Sequence, residues 1–192
     1  MDRLTCKLYI LLAWILCAGA LPSRAQFGSK HILASGTSET ILPQDVYAVD
    51  LDGDGDADVV SASAGDDKIA WYENKRGTFG PQQVISEDAD WAVSVYAADL
   101  DGDSDPDVLS ASNDGLTYYI NEVNLEQGFT FEVVLNPAGG SIDDLEVADL
   151  NGDGVYDILA TSVNDQEISW FANNADADGD YLFGDGGADV IY

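Results

Sequence analysis

Asp50 to Asp58 reads D-L-D-G-D-G-D-A-D, and this acidic stretch decides how the rest of the chain is read. It returns twice, as D-L-D-G-D-S-D-P-D from Asp99 to Asp107 and as D-L-N-G-D-G-V-Y-D from Asp149 to Asp157. The three starts are 49 and then 50 residues apart. A side-chain oxygen recurs at loop positions 1, 3, 5 and 9, with glycine at position 4. Carboxylates crowded this closely repel one another and gain nothing from folding alone. A hard cation removes the repulsion, and Ca²⁺ accepts about 6–8 oxygen ligands. Three such loops in register point to a repeated, calcium-stapled unit, with about three sites.

The flanks of the loops agree as well. Val46-Tyr47-Ala48-Val49, Val95-Tyr96-Ala97-Ala98 and Leu145-Glu146-Val147-Ala148 precede them. Val59 to Ser63, Val108 to Ser112 and Ile158 to Ser162 follow. These short β-prone runs, bounded by Gly, Asp and Asn, predict strands. After turns at Gly65-Asp66-Asp67, Asn113-Asp114-Gly115 and Asn164-Asp165 comes a third strand in each unit: Ile69 to Tyr72, Leu116 to Tyr119 and Ile168 to Phe171. Each third strand is soon followed by an asparagine, at Asn74, Asn121 and Asn173. A fourth strand is expected ahead of each unit, at His31-Ile32-Leu33, Val84-Ile85-Ser86 and Val133-Val134-Leu135. The fold class is therefore all-β, with three four-stranded units. Four strands in roughly 40–50 residues is the arithmetic of a β-propeller blade. Trp71, Tyr118 and Trp170 share one repeat position and are expected to pack between neighbouring units. Trp91 has no equivalent and is expected to cover a loop.

The N-terminus reads differently. Arg3 and Lys7 precede an apolar run from Leu8 to Ala20, and Ser23-Arg24-Ala25 offers small residues at a cleavage site. Residues 1–25 are expected to be a secretory signal peptide, which places the mature chain outside the cell or at its surface. Both cysteines, Cys6 and Cys17, lie in this segment, so no disulfide staples the remainder. Metal is the obvious substitute. The chain has 7 basic and 36 acidic residues and a formal charge of −29. Such a surface repels nucleic acid and anionic lipid. No other apolar run is long enough to span a bilayer, so no membrane insertion is expected after cleavage. Aromatic and β-branched residues are plentiful and regularly placed, which argues against disorder.

The pattern D-x-D-G-D-G-x-x-D between two strands resembles the FG-GAP and VCBS-type repeats, the blades of integrin-α-like β-propellers. The resemblance covers about residues 31–173, in units of about 31–80, 81–130 and 131–173 within a repeat region of 26–173. It implies that the loop between the first two strands of each unit binds Ca²⁺. The implied ligands are Asp50, Asp52, Asp54 and Asp58 in the first loop, and Asp99, Asp101, Asp103 and Asp107 in the second. In the third they are Asp149, Asn151, Asp153 and Asp157. Main-chain carbonyls of Asp56, Asp105 and Val155 would fill position 7, and Gly53, Gly102 and Gly152 would permit a left-handed turn. Ser104 replaces the usual glycine at position 6 of the second loop, with Pro106 at position 8. Asn151 lowers the charge of the third loop, so the first is expected to bind most tightly. Residues 174–192 are Gly- and Asp-rich. Asp180 to Phe183 and Asp189 to Tyr192 stand nine residues apart and are similar to the RTX nonapeptide, with Asp185 where that pattern prefers glycine.

Other acidic-loop families fit worse. An EF-hand needs glutamate at position 12 and flanking helices, whereas Ser61, Ser110 and Ala160 stand there between strands. No catalytic constellation is legible. Beyond the signal there is one histidine, His31, and no G-x-S-x-G elbow, phosphate loop or zinc spacing. The acids have a better role as cation ligands, and the chain is expected not to be an enzyme. Two function classes follow. One is a secreted calcium-binding module for adhesion or for binding an extracellular protein or glycan. The other is a non-catalytic accessory part, or a piece, of a larger secreted enzyme or surface protein. Closed propellers use about 4–8 blades, so three units imply either self-association to complete a ring or a longer polypeptide.

Overall fold

The computed structural model describes residues 28–34, 42–122, 128–134 and 140–173. Two compact units are present, Met1–Ile32 and Leu33–Tyr192, and the second holds every described strand. In chain order the strands are β1 (Pro43–Val49), β2 (Asp58–Ser63), β3 (Lys68–Tyr72), β4 (Asn74–Lys75), β5 (Thr78–Phe79), β6 (Gln83–Ser86) and β7 (Ser94–Ala98). There follow β8 (Asp107–Ser112), β9 (Gly115–Glu122), β10 (Gly128–Val134), β11 (Asp144–Ala148), β12 (Asp157–Ser162) and β13 (Glu167–Phe171). The fold is all-β, with no helix among the described residues.

The strands form separate antiparallel sheets. Sheet one has the order β1-β2-β3-β6, sheet two β7-β8-β9-β10, and sheet three β11-β12-β13. A two-residue hairpin, β4-β5, stands apart. Its turn residues Arg76 and Gly77 both take positive φ, at 56° and 84°, the backbone that a tight hairpin turn demands.

Sheet two shows how the units are held. Its strands alternate, with Val95, Ala97, Val108 and Tyr119 on one face and Leu109, Ala111, Leu116, Tyr118 and Ile120 on the other. The first set packs with Leu51, Val60, Ala62, Ile69 and Trp71 of sheet one and its loop. The second set packs with Leu145, Val147, Ile158 and Ala160 of sheet three. Both faces are dry, which is why β8 is buried along its whole length. Burying each such Leu or Ile contributes about 1.5–3 kcal/mol relative to exposure. No cysteine stands among the described residues, and sheet-on-sheet burial does the holding there. Sheets approach most closely along their first strands, β1 against β7 and β7 against β11. There Tyr47 lies on Tyr96 with ring centroids 4.3 Å apart.

The placement of the fourth strand departs from expectation. His31 to Leu33 form no strand. Val84 to Ser86 fall in β6, which pairs with β3 and so closes sheet one rather than opening the next unit. Val133 and Val134 fall in β10, which pairs with β9 of sheet two. The reason is proximity: the outer edge of a third strand needs backbone partners, and the next extended run along the chain is the nearest supply. Sheet three has three strands among the described residues, not the four expected. Trp91 is 49% exposed rather than sealed over a loop, and its amide donates to Asp67 Oδ1 at 2.9 Å. The signal segment 1–25 and the tail 174–192 lie outside the described residues. Among the described residues no helix is long and apolar enough to cross a membrane.

Candidate metal centre

Each acidic loop joins the first strand of a sheet to the second: β1 to β2, β7 to β8, and β11 to β12. The winding is the same in all three. Position 1 accepts the amide of position 6, in Gly55→Asp50 Oδ2 at 2.9 Å, Ser104→Asp99 Oδ2 at 3.1 Å and Gly154→Asp149 Oδ2 at 3.0 Å. Position 3 accepts the amide of position 5, and position 5 that of position 7, at 2.8–3.1 Å throughout. Short polar side chains capture their own backbone two residues on, so an Asp at every second place curls the chain.

The curl needs left-handed backbone at two places. Position 4 has φ of 72°, 84° and 82° at Gly53, Gly102 and Gly152. A Cβ on Gly102 or Gly152 would meet nothing within 4 Å, so conformation and not space selects glycine there. Position 6 is left-handed too, and Ser104 adopts φ 80° where the other loops have glycine. The serine is thus held in a conformation that costs an L-residue roughly 1–2 kcal/mol.

Position 9 is fully buried in all three loops. Asp58, Asp107 and Asp157 are each 0% exposed. Asp58 accepts the amides of Leu51 (3.0 Å) and Asn74 (2.7 Å), and Asp157 those of Leu150 and Asn173 (both 2.9 Å). Asp107 accepts the amides of Leu100 (3.1 Å) and Asn121 (2.9 Å) and the Tyr118 hydroxyl (3.0 Å). This carboxylate therefore ties the start of its loop to the end of the third strand. Sequence reading assigned it to the cation alone. The clamp is a second role, and the recurrent asparagine after the third strand was its only signal.

The loops bring the acids into reach of one ion. Carboxylate oxygens of Asp50, Asp52 and Asp58 lie within 4.8 Å of one another, and so do those of Asp99, Asp101 and Asp107. Asp54 and Asp103, expected as ligands, stand outside these clusters, each bracing the amide two residues on. Asp56 turns its side chain to the hairpin, accepting the Arg76 amide at 2.9 Å. In the third loop Asn151 donates its Nδ2 to Asp153 Oδ2 at 2.7 Å, so an internal hydrogen bond replaces one repulsion. Asp105 and Val155 supply amides to position 5, and Asp149 also accepts Gly152 at 2.6 Å.

Electrostatics mark the first two loops. Burial pushes the Asp107 carboxyl up to about 7, against the pull of the Asn121 and Leu100 amides and with repulsion from Asp101 added. Burial also raises Asp52, Asp58 and Asp101, with neighbouring carboxylates adding to it. A cation held among them would reverse that shift. A direct test of fit is Asp50 Oδ1, which is buried without any hydrogen-bond partner. A buried carboxylate oxygen left unpaired is costly, and an oxygen-seeking hard cation satisfies it. The donor set is all oxygen, as calcium requires.

The recurrent asparagines link one repeat to the next. Asn121 Nδ2 donates to Leu51 O at 2.8 Å, 70 residues away, and to Pro106 O of its own loop at 2.9 Å. Asn173 Nδ2 donates to Leu100 O at 2.9 Å. Loop position 2 is thus both a plug, with Leu51 and Leu100 at 0% exposure, and an acceptor for the following sheet.

The family described as FG-GAP-like repeat matches twice, over residues 50–110 and 99–160. No curated protein sequence matches the chain. Among solved structures, the chain is similar to one reported for specific recognition of non-reducing terminal N-acetylglucosamine by a lectin of Agrocybe aegerita, at 24% identity and a TM-score of 0.48. That likeness covers 68% of this chain and 35% of the lectin chain. With three registered acidic loops, each opening a second strand, and two matches spanning more than half its length, the chain belongs to the FG-GAP-like repeat family.

Proposed function

We propose that the chain is a secreted calcium-binding repeat module that presents its sheets for adhesion or for binding an extracellular protein or glycan, and that it is not an enzyme. The observation that carries the calcium reading is the buried, unpartnered Asp50 Oδ1 beside Asp52 and Asp58. Asp50, Asp52 and Asp58 would hold the ion in the first loop, and Asp99, Asp101 and Asp107 in the second. Asp149, Asn151 and Asp157 occupy the same positions in the third. When bound, calcium supplies positive charge that lets buried carboxylates stay ionised. The protein supplies the rest: amides at loop positions 5, 6 and 7 fix the carboxylates in place, and position 9 anchors each loop to the sheet. This fixes the edge formed by the three loops, the surface best placed to meet a partner in a defined shape. The apolar N-terminal segment with its small-residue cleavage site supports secretion. FG-GAP-like membership is compatible with adhesion or glycan binding.

Isothermal calorimetry of the chelator-treated chain tests the metal reading. About three calcium sites are expected, with Asp52→Ala losing one. Equal uptake by parent and variant would refute the ligand assignment. A glycan and matrix-protein array, run with calcium and with chelator, tests the binding role. Calcium-dependent capture is expected, and an array with no ligand would reduce the module to a spacer.

A further inference from the structure

The three position-9 carboxylates are not equal, and the side chain that makes the difference comes from a third strand. Asp58 accepts one amide on each oxygen, Leu51 on Oδ2 and Asn74 on Oδ1. Asp157 does the same, with Leu150 on Oδ2 and Asn173 on Oδ1. Asp107 accepts the matching amides of Leu100 on Oδ2 and Asn121 on Oδ1, and its Oδ2 also accepts the Tyr118 hydroxyl at 3.0 Å. The repeat position of Tyr118 carries Trp71 in sheet one and Trp170 in sheet three. An indole has no hydroxyl, and among the described residues neither tryptophan donates to its position-9 carboxylate.

An ionised carboxylate has about four lone pairs, shared between its two oxygens. In the first and third loops, each oxygen of Asp58 and Asp157 keeps one for a cation. In the second loop Leu100 and Tyr118 fill Oδ2 of Asp107, and the remaining lone pair lies on Oδ1. Tyr118 is held where it is. It is buried in the cluster with Leu109, Leu116 and Ile158, and it stands opposite Leu109 of β8. A cation that took Oδ2 from it would strand a buried hydroxyl, which is costly. Ca²⁺ takes a carboxylate through one oxygen or through both, whereas the smaller Mg²⁺ keeps a near-octahedral shell with several waters and needs less of each carboxylate.

Building on the calcium reading of the loops, we propose that Tyr118 sets the affinity and the metal selectivity of the second loop. It is a positioning residue: its hydroxyl limits Asp107 to single-oxygen contact with a cation. The second loop therefore binds calcium more weakly than the first and discriminates less against magnesium. This holds although the two loops carry the same acids at positions 1, 3, 5 and 9. Asp58 and Asp157, without that donor, keep both oxygens available. The second loop thus fills at a higher calcium concentration than the first, and the difference is written in the third strand and not in the loop.

Calorimetric titration of the chelator-treated full chain with calcium chloride, repeated with magnesium chloride, gives the test. Tyr118→Phe removes the hydroxyl and keeps the ring, and circular dichroism checks the fold. Its second-loop calcium affinity should rise about tenfold, the order expected when a hydrogen bond to a charged acceptor stops competing. Its magnesium affinity should rise much less. Tyr118→Trp, which places there the ring that sheets one and three carry, is an independent variant with the same expected direction. Asp101→Ala should remove one calcium site, and adding Tyr118→Phe to it should change nothing at the remaining sites. An Asp101→Ala chain that keeps every site would refute the calcium reading itself. Loss of that site together with an unchanged calcium affinity in Tyr118→Phe would overturn the role of Tyr118 alone. So would equal gains for calcium and magnesium, or a gain that persists once Asp101→Ala has removed the second site, since either is a general effect of the substitution.

Discussion

Sheet two and sheet three carry nearly the same side chains at the same repeat positions, yet one is dry on both faces and the other on one. Leu116 is 0% exposed and Ile168 is 75% exposed. Tyr118 is 2% exposed and Trp170 is 36% exposed. The lesson is that burial in a stacked repeat belongs to the neighbour and not to the residue. The face is specified in sequence; its cover is supplied by the next sheet.

The sharpest way to break this comparison is a pair of truncations. Leu116→Ala should destabilise the fold by about 2–5 kcal/mol, because it empties a packed site. Ile168→Ala should cost no more than about 0.5 kcal/mol in the monomer. Chemical denaturation of both variants in dilute solution checks the pair. Equal losses would show that sheet three is covered in solution.

A second pair tests the asparagine link. Asn121→Ala removes two hydrogen bonds and strands the buried carbonyl of Leu51, and should cost about 1–3 kcal/mol. Asn74→Ala also removes two bonds, to Ala57 O of its own loop and from the Gly77 amide, but both are exposed to water and neither joins two sheets, so it should cost about 0.5–1 kcal/mol. Thermal melts separate the two, and a reversed order would remove the relay from the account of how repeats join.

Ser104 allows a gain to be measured. Ser104→Gly relieves the left-handed strain at φ 80° and should raise stability by about 1 kcal/mol, less the entropy that glycine loses on folding. Gly55 and Gly154 already hold that position in the other two loops. An unchanged melting temperature would mean that the second loop tolerates serine without strain.

The last contrast is one of pH, in the chelator-treated protein. Asp107 in the fold sits near 7, well above an unfolded aspartate near 3.8, so the folded state binds the proton more tightly. Its contribution is full below pH 4 and is lost as pH rises through 7, and Asp52, Asp58 and Asp101 shift in the same direction. The metal-free chain should therefore melt at a higher temperature at pH 5 than at pH 7.5. Saturating calcium should reverse that order, because it stabilises only the ionised loops. Melts across pH in both conditions provide the check.

Much of this was legible before any coordinates. The strands flanking the acidic loops fall within a residue or two of the runs read from sequence, because alternation and turn residues are local signals. β1 extends back to Pro43 and β9 on to Glu122, since strand ends follow a partner's length and not composition. The position-9 clamp was not legible, because a carboxylate can serve a cation and a backbone amide with the same sequence. The assignment of β6 and β10 to the preceding sheets was equally hidden. Either edge would satisfy their backbone, and only the course of the chain selects one.

By itself the sequence determined the period, the all-β class and the acidic loops, for these depend on residue types at fixed spacing. Glycine at position 4 was also set there, since only the backbone angle requires it. The tertiary structure alone decided which carboxylates converge, which loop oxygen is left without a partner, and which of three equivalent faces lies open. Those facts depend on what stands across a gap from each residue, and a one-dimensional pattern does not contain that distance.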